Sequence, residues 1–128
     1  MTTGFTPPGH NTVSPYLLVP SVVDALAFVI ATFQAVELYR VAGENGGVKH
    51  AEVRIGDSVL MMGERGSAAL PGSIHVYVPN VDAVYGLALA AGATSVSEPR
   101  DLPYGDRSAG VRDPQGNLWW LGTHIGAA

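Results

Sequence analysis

The chain has 128 residues and a mass of 13.3 kDa, the size of one domain. Its residues are 47% hydrophobic and only 14% charged, the reverse of a disordered chain, and the absence of cysteine excludes disulfides, thiolate nucleophiles, cysteine-ligated zinc and iron–sulfur clusters. A net charge of −4 without any Lys/Arg cluster argues against a nucleic-acid surface, and the longest apolar stretch, Val22 to Phe33, is too short to span a bilayer.

Residues 1–12 carry Gly4, Pro7, Pro8 and Gly9, show no periodicity, and read as a flexible arm. They contain no basic segment followed by an apolar core of the signal-peptide kind, so the expected location is the cytoplasm. Residues 14–19 read as a strand. Ser21 then caps a helix, with Asp24 three residues on as its capping-box partner. Val23, Leu26, Ile30 and Phe33 recur at gaps of 3, 4 and 3, which predicts one buried helical face. Three strand-like runs follow, 36–41, 48–55 and 59–62, separated by turns at 43–47 and 56–58.

The second half repeats this order. Residues 73–78 form a strand and Asn80 caps a helix whose Val81, Val84, Ala88 and Ala91 again fall at gaps of 3, 4 and 3. Gly92 ends that helix. Short runs at 94–97, 108–112 and 118–121 follow, the last two split by Asp113-Pro114-Gln115-Gly116-Asn117. The segment from Val19 to Ala25 reads against Val78 to Ala83 with one residue lost at the cap. The chain is thus expected to be α+β, with two tandem βαβββ modules at about 13–64 and 72–124 inside one domain, 13–128. The modules would form a curved, mostly antiparallel eight-stranded sheet, a half-barrel with helices on its convex face. The concave face is then the default ligand site.

The sequence resembles the vicinal oxygen chelate superfamily of glyoxalases, bleomycin-resistance proteins and dioxygenases, and within it the PhnB-like subgroup. The resemblance is carried by the blocks His50 to Met62, Tyr104 to Ser108, and Val111 to Leu121 with Thr123-His124. In the helix, Val29 and Gln34 stand where an aromatic residue and a glycine are usual. Metal-using members of the family bind a divalent ion through four inward side chains. The resemblance places those positions at Ser14, Met61, Ser73 and Trp120 of this chain. None is a carboxylate or imidazole, the donors such an ion takes, so no metal and no other cofactor is expected, the alternative being a substitute divalent-metal site made from His50, Glu52 and His75.

Strand alternation assigns the remaining candidates. Ser73, His75 and Tyr77 share one face against Ile74, Val76 and Val78. His50, Glu52 and Arg54 share another against Ala51, Val53 and Ile55. Tyr16, Met61, Ser73, His75, Tyr77, Tyr104, Arg107 and Trp120 are the expected ligand-binding residues. His50 and Glu52 are the candidate acid/base pair, or else a plain polar pair on a strand. Arg107 has two readings: a clamp for an anionic group, or a partner for Asp106, Asp101 or Glu98. His124 reads as a tail residue. Trp119 and Trp120 must point to opposite faces, Trp119 into the core and Trp120 into the pocket. The expected function is metal-free binding of a small aromatic or amphipathic molecule by a homodimer, without nucleic-acid or membrane partners. The alternative is an enzyme of the same superfamily, lyase-, isomerase- or dioxygenase-like.

Overall fold

In the computed structural model, which describes residues 4–126, eight strands form two sheets of four. The outermost parts of the expected arm and domain, residues 1–3 and 127–128, lie outside the described residues. The elements are β1 (Tyr16–Val19), α1 (Val22–Phe33), β2 (Val36–Ala42), β3 (Val48–Ile55), β4 (Ser58–Glu64), β5 (Ser73–Tyr77), α2 (Val81–Ala90), β6 (Thr94–Asp101), β7 (Asp106–Arg112) and β8 (Leu118–His124). The strand orders are β1-β4-β3-β2 and β5-β8-β7-β6. In each sheet the first and last strands of a module pair in parallel and the other neighbours are antiparallel. This is the tandem βαβββ organisation the repeat implies.

Local chemistry sets the helix ends. The Ser21 hydroxyl accepts from the Asp24 N–H at 3.2 Å, and the Asn80 side chain accepts from the Ala83 N–H at 3.1 Å, each satisfying a donor that the first helical turn leaves free. The expected reciprocal half of the capping box is replaced: the Ser21 N–H donates to Gln115 Oε1 at 2.8 Å, across to the other module. Gly92 follows α2 with φ +104°, the left-handed exit that glycine accepts without cost.

The buried face of α1 differs from the expected one. Val22, Ala25, Leu26, Phe28, Val29 and Thr32 are buried, whereas Val23 and Ile30 are 45% and 42% exposed. The helix has apolar residues on nearly every side, so spacing alone could not choose among faces. Packing chose a broad stripe because α1 is covered from two directions. It lies on β3 and β4 and beside α2, and its Phe28 and Phe33 rings are 6.2 and 5.0 Å from the ring of Trp119 on β8. The two helices thus form a layer shared by both sheets, within a single apolar core that includes Val19, Val53, Met62, Val111 and Leu121. Each sheet turns its other face outward.

Trp119 is 1% exposed, at the centre of this core, and Trp120 lies on the outer face, as alternation requires. The indole N–H of Trp119 donates to Asp113 Oδ2 at 2.8 Å. The same buried carboxylate accepts from the backbone N–H groups of Gln115 and Asn117 and from the Asn117 amide.

Gln34 caps α1 at φ 55°, ψ 39°. This is the left-handed conformation a glycine would take freely, so the departure at this position carries strain of about 1–2 kcal/mol. Gln34→Gly is expected to raise stability in urea unfolding by about 0.5–1 kcal/mol once the greater freedom of glycine in the unfolded chain is subtracted. A loss of stability would show that Gln34 makes compensating contacts.

Candidate functional site

Each outer face carries a row of side chains at matching positions. In the first sheet the register aligns Tyr16, Met61, Glu52 and Tyr39 across β1, β4, β3 and β2. In the second it aligns His75, Trp120, Gly110 and Ser97 across β5, β8, β7 and β6. Tyr16 matches His75, and Met61 matches Trp120, at the offset of 59 between the modules.

Rings lie directly over glycines in both rows. A Cβ on Gly63 would sit 2.9 Å from the Tyr16 hydroxyl oxygen, and one on the equivalent Gly122 would sit 3.0 Å from His75 Nε2 and 3.4 Å from the Tyr77 ring. A Cβ on Gly110 would sit 2.7 Å from the six-membered ring of Trp120. Absent side chains let the rings lie down on the sheet. Polar contacts then hold them: the Trp120 indole N–H donates to the Ser73 hydroxyl at 2.9 Å, and the His75 and Tyr77 rings meet edge to face at 4.6 Å.

The first face centres on Glu52. Its Oε2 accepts from His50 Nε2–H at 2.9 Å and its Oε1 from His10 Nε2–H at 2.7 Å. The Tyr16 hydroxyl donates to His50 Nδ1 at 3.2 Å. The hydrogen bonds from His50 and then His10 hold the Glu52 carboxyl below its ordinary value, and the bond to Glu52 raises His10. The arm is thereby fastened to the sheet, and Phe5, Pro7 and His10 close a small recess with Leu38, Tyr39 and Met61. His10 had no signal in the sequence, because an arm without periodicity gives its residues no face.

The second face has a corresponding carboxylate that spacing alone did not single out. Asp106 is buried; its Oδ1 accepts from His124 Nδ1–H at 2.9 Å and its Oδ2 from the Tyr77 hydroxyl at 2.7 Å. The bond from His124, then that from Tyr77, lowers Asp106, while Tyr77 is raised by the same contact. His124 is therefore no tail residue. It closes β8 opposite Asp106, the first residue of β7, since both strands run beyond the expected ends.

Of its two readings, Arg107 takes that of a carboxylate partner rather than a ligand clamp. Its side chain meets Asp82 on α2 through two hydrogen bonds, 2.8 and 3.0 Å, and Asp101 through a third at 3.0 Å. Alternation from Asp106 carries it to the helix side, and two carboxylates occupy its donors. Tyr104 stands exposed in the turn before β7. His50 and Glu52 lie on a different sheet from His75, so these three do not meet.

The four positions at which the family's metal ligands would fall hold Ser14, Met61, Ser73 and Trp120. The Ser14 hydroxyl is buried without a partner, Ser73 accepts from Trp120, and neither a thioether nor an indole suits a hard or borderline divalent ion. This donor set does not fit the group. Among the described residues no three His, Asp or Glu side chains are arranged to hold a metal ion, and both Glu52 oxygens already accept from imidazole.

Paired βαβββ modules with ring-bearing outer faces define a protein of the glyoxalase fold. The family model described as Glyoxalase/Bleomycin resistance protein/Dioxygenase superfamily matches residues 10–121, and the chain belongs to that superfamily. It is 38% identical over 125 residues to an uncharacterized protein of Mycobacterium bovis, covering 88% of this chain and 82% of that one. Among solved structures it is similar to TioX from Micromonospora sp. ML1, with a TM-score of 0.77, 25% identity and coverage of 90% and 99%. It also shares the fold of a glyoxalase/bleomycin resistance protein/dioxygenase family enzyme from Burkholderia phytofirmans, with a TM-score of 0.73, 18% identity and coverage of 86% and 95%. No described helix is long and apolar enough to cross a membrane.

The arm contact has a pH window. Glu52 is lowered, so its contribution is complete above the ordinary value of 4.5 and is lost as pH falls through the lowered one. His10 is raised, so its contribution is complete below 6.5 and is lost as pH rises through the raised value. Protection of the amides at 9–12 against hydrogen exchange should be greatest at about pH 5–6, and His10→Ala should flatten that profile. A profile unchanged by the substitution would show that Glu52 does not hold the arm.

Proposed function

We propose that this chain is a small-molecule-binding protein of the bleomycin-resistance type, which holds an aromatic or amphipathic ligand against its outer sheet faces without a metal ion. The observation that carries this reading is the set of rings laid over glycines. Trp120, His75 and Tyr77 are pinned from beneath by Gly110 and Gly122, and their upper faces are left for a planar ligand. The motif blocks from His50 to Met62 and from Val111 to Leu121 favour the PhnB-like subgroup.

A single outer face is a floor without a second wall. A homodimer in which the first sheet of one copy faces the second sheet of another would enclose the ligand, and it would cover the exposed Tyr16, Tyr39 and Tyr77. Light scattering at micromolar concentration should then give twice the chain mass; a value near 13.3 kDa opposes this part of the reading.

The Tyr16–His50–Glu52 chain supports a second, enzymatic reading. Glu52 is held ionised and orients His50. A substrate proton taken at His50 would leave an imidazolium beside a carboxylate. Turnover lost in Glu52→Gln with ligand affinity retained would favour this reading over binding alone.

A panel of aromatic compounds screened by thermal shift, with and without divalent ions, tests the principal reading. Ligands should raise the melting temperature whether or not metal is added, and elemental analysis should find no stoichiometric transition metal. Trp120→Ala should weaken the best ligand about tenfold or more. Trp119→Ala should instead cost about 3–5 kcal/mol of stability. Affinity indifferent to Trp120→Ala would overturn the proposed platform.

A further inference from the structure

We propose that the cleft between the two modules, bordered by the ends of the helix layer and lined in part by residues 74–78 of and after β5, is a second binding site for a neutral, mainly apolar small molecule. The cleft measures about 810 Å³, within the range of sites that enclose drug-sized ligands. Its walls include Phe33, Ile74, Val76, Val84 and Leu87, with Trp119 beneath.

The internal repeat explains why it is open. At the pseudo-equivalent end of the molecule the five-residue turn between β7 and β8 closes the gap. There Gln115 accepts from the Ser21 N–H, Asn117 accepts from the Gly72 N–H, and Pro114 lies against Gly92. The matching turn between β3 and β4 has only Gly56 and Asp57, and Asp57 turns aside to accept from the Ser58 hydroxyl. The first module thus lacks the plug that the second module supplies.

One polar group marks the vacancy. Thr32 lines the cleft and is 1% exposed, yet its hydroxyl has no hydrogen-bond partner. A buried hydroxyl left unpaired is costly, and turning the Thr32 side chain toward a bound ligand's hydroxyl or carbonyl group would relieve it. No Lys or Arg lies among the described lining residues, and Asp57 stands at the margin, so an anion is disfavoured. The chemistry is therefore that of a flat or short-chain apolar molecule bearing a single neutral hydrogen-bonding group.

The test uses 2-naphthol and its anionic counterpart 2-naphthoate, followed by methyl NMR on the full chain. 2-Naphthol should shift the methyl resonances of Thr32, Val76, Val84 and Leu87 and bind at least tenfold more tightly than 2-naphthoate. Thr32→Val should weaken it several-fold while leaving the protein as stable or more stable. Leu87→Trp, at a partly exposed position, should fill the cleft and abolish the shifts. In Trp120→Ala the naphthol should still reach the cleft, so failure of the outer-face reading and failure of this one are distinguishable. Naphthol shifts confined to the outer faces, equal affinity for the anion, or indifference to Leu87→Trp would overturn the proposal. So would shifts of the same methyls with protein concentration alone, which would mean that a second copy covers the cleft.

Discussion

The Asp113 carboxylate, buried beside the core indole, is the contact on which the rest of the molecule depends. It takes the Trp119 N–H, two backbone N–H groups of its own turn and the Asn117 amide. Removing one donor of such a network leaves a buried carboxyl oxygen unsatisfied, the costly direction of change. The turn it organises also clasps the first module, through Gln115 to the cap of α1, while Asn117 holds the approach of β5 within its own module. The carboxylate is tolerated in the core because four N–H groups donate to it, and those bonds fix the turn and the tryptophan rotamer together.

A shared helix layer separates the duties of the two sides of each sheet. The inner sides are continuous with one core and, away from the cleft beside Ile74 and Val76, have no room for variation without cavities or overpacking. The outer sides carry the exposed rings and the contacts between histidines and carboxylates. They are not copies of one another: the first has a carboxylate between two imidazoles and an arm fastened over it, while the second has a carboxylate between a phenol and an imidazole and, among the described residues, no such cover. Duplication supplied two equivalent floors, and different chemistry has been placed on each.

Much of this was legible because it follows from short-range rules. Ser21 and Asn80 cap helices wherever the following residues can turn, and Trp119 and Trp120 had to separate in any strand. The repeat was legible from the shared order of strand, cap, helix and three strands, but not its helix register: Val22 and Val29 match Val81 and Ala88 at the same offset as the caps, with no residue lost. The inner face of α1 was not legible, since Val22 and Val23, or Val29 and Ile30, are equally apolar and only their neighbours decide. The partnership of Asp106 with His124 was hidden by the polar ends of β7 and β8, where alternation gives no contrast. His10 depends on a carboxylate 42 residues away, and Arg107 on one 25 residues earlier on a helix. No local pattern encodes either pairing.

The glycines beneath the rings turn the outer faces into surfaces whose relief is set from below. At Gly63, Gly110 and Gly122 the missing side chain is what lets a ring settle to the level of the backbone. One methyl group at Gly110 would lift or expel the indole, and one at Gly122 would disturb an imidazole and a phenol together. The shape offered to a ligand is therefore governed by residues that present no side chain to it. Exchange at these positions redraws the contour in steps of a single carbon atom, while every aromatic residue and every hydrogen-bonding group remains in the sequence.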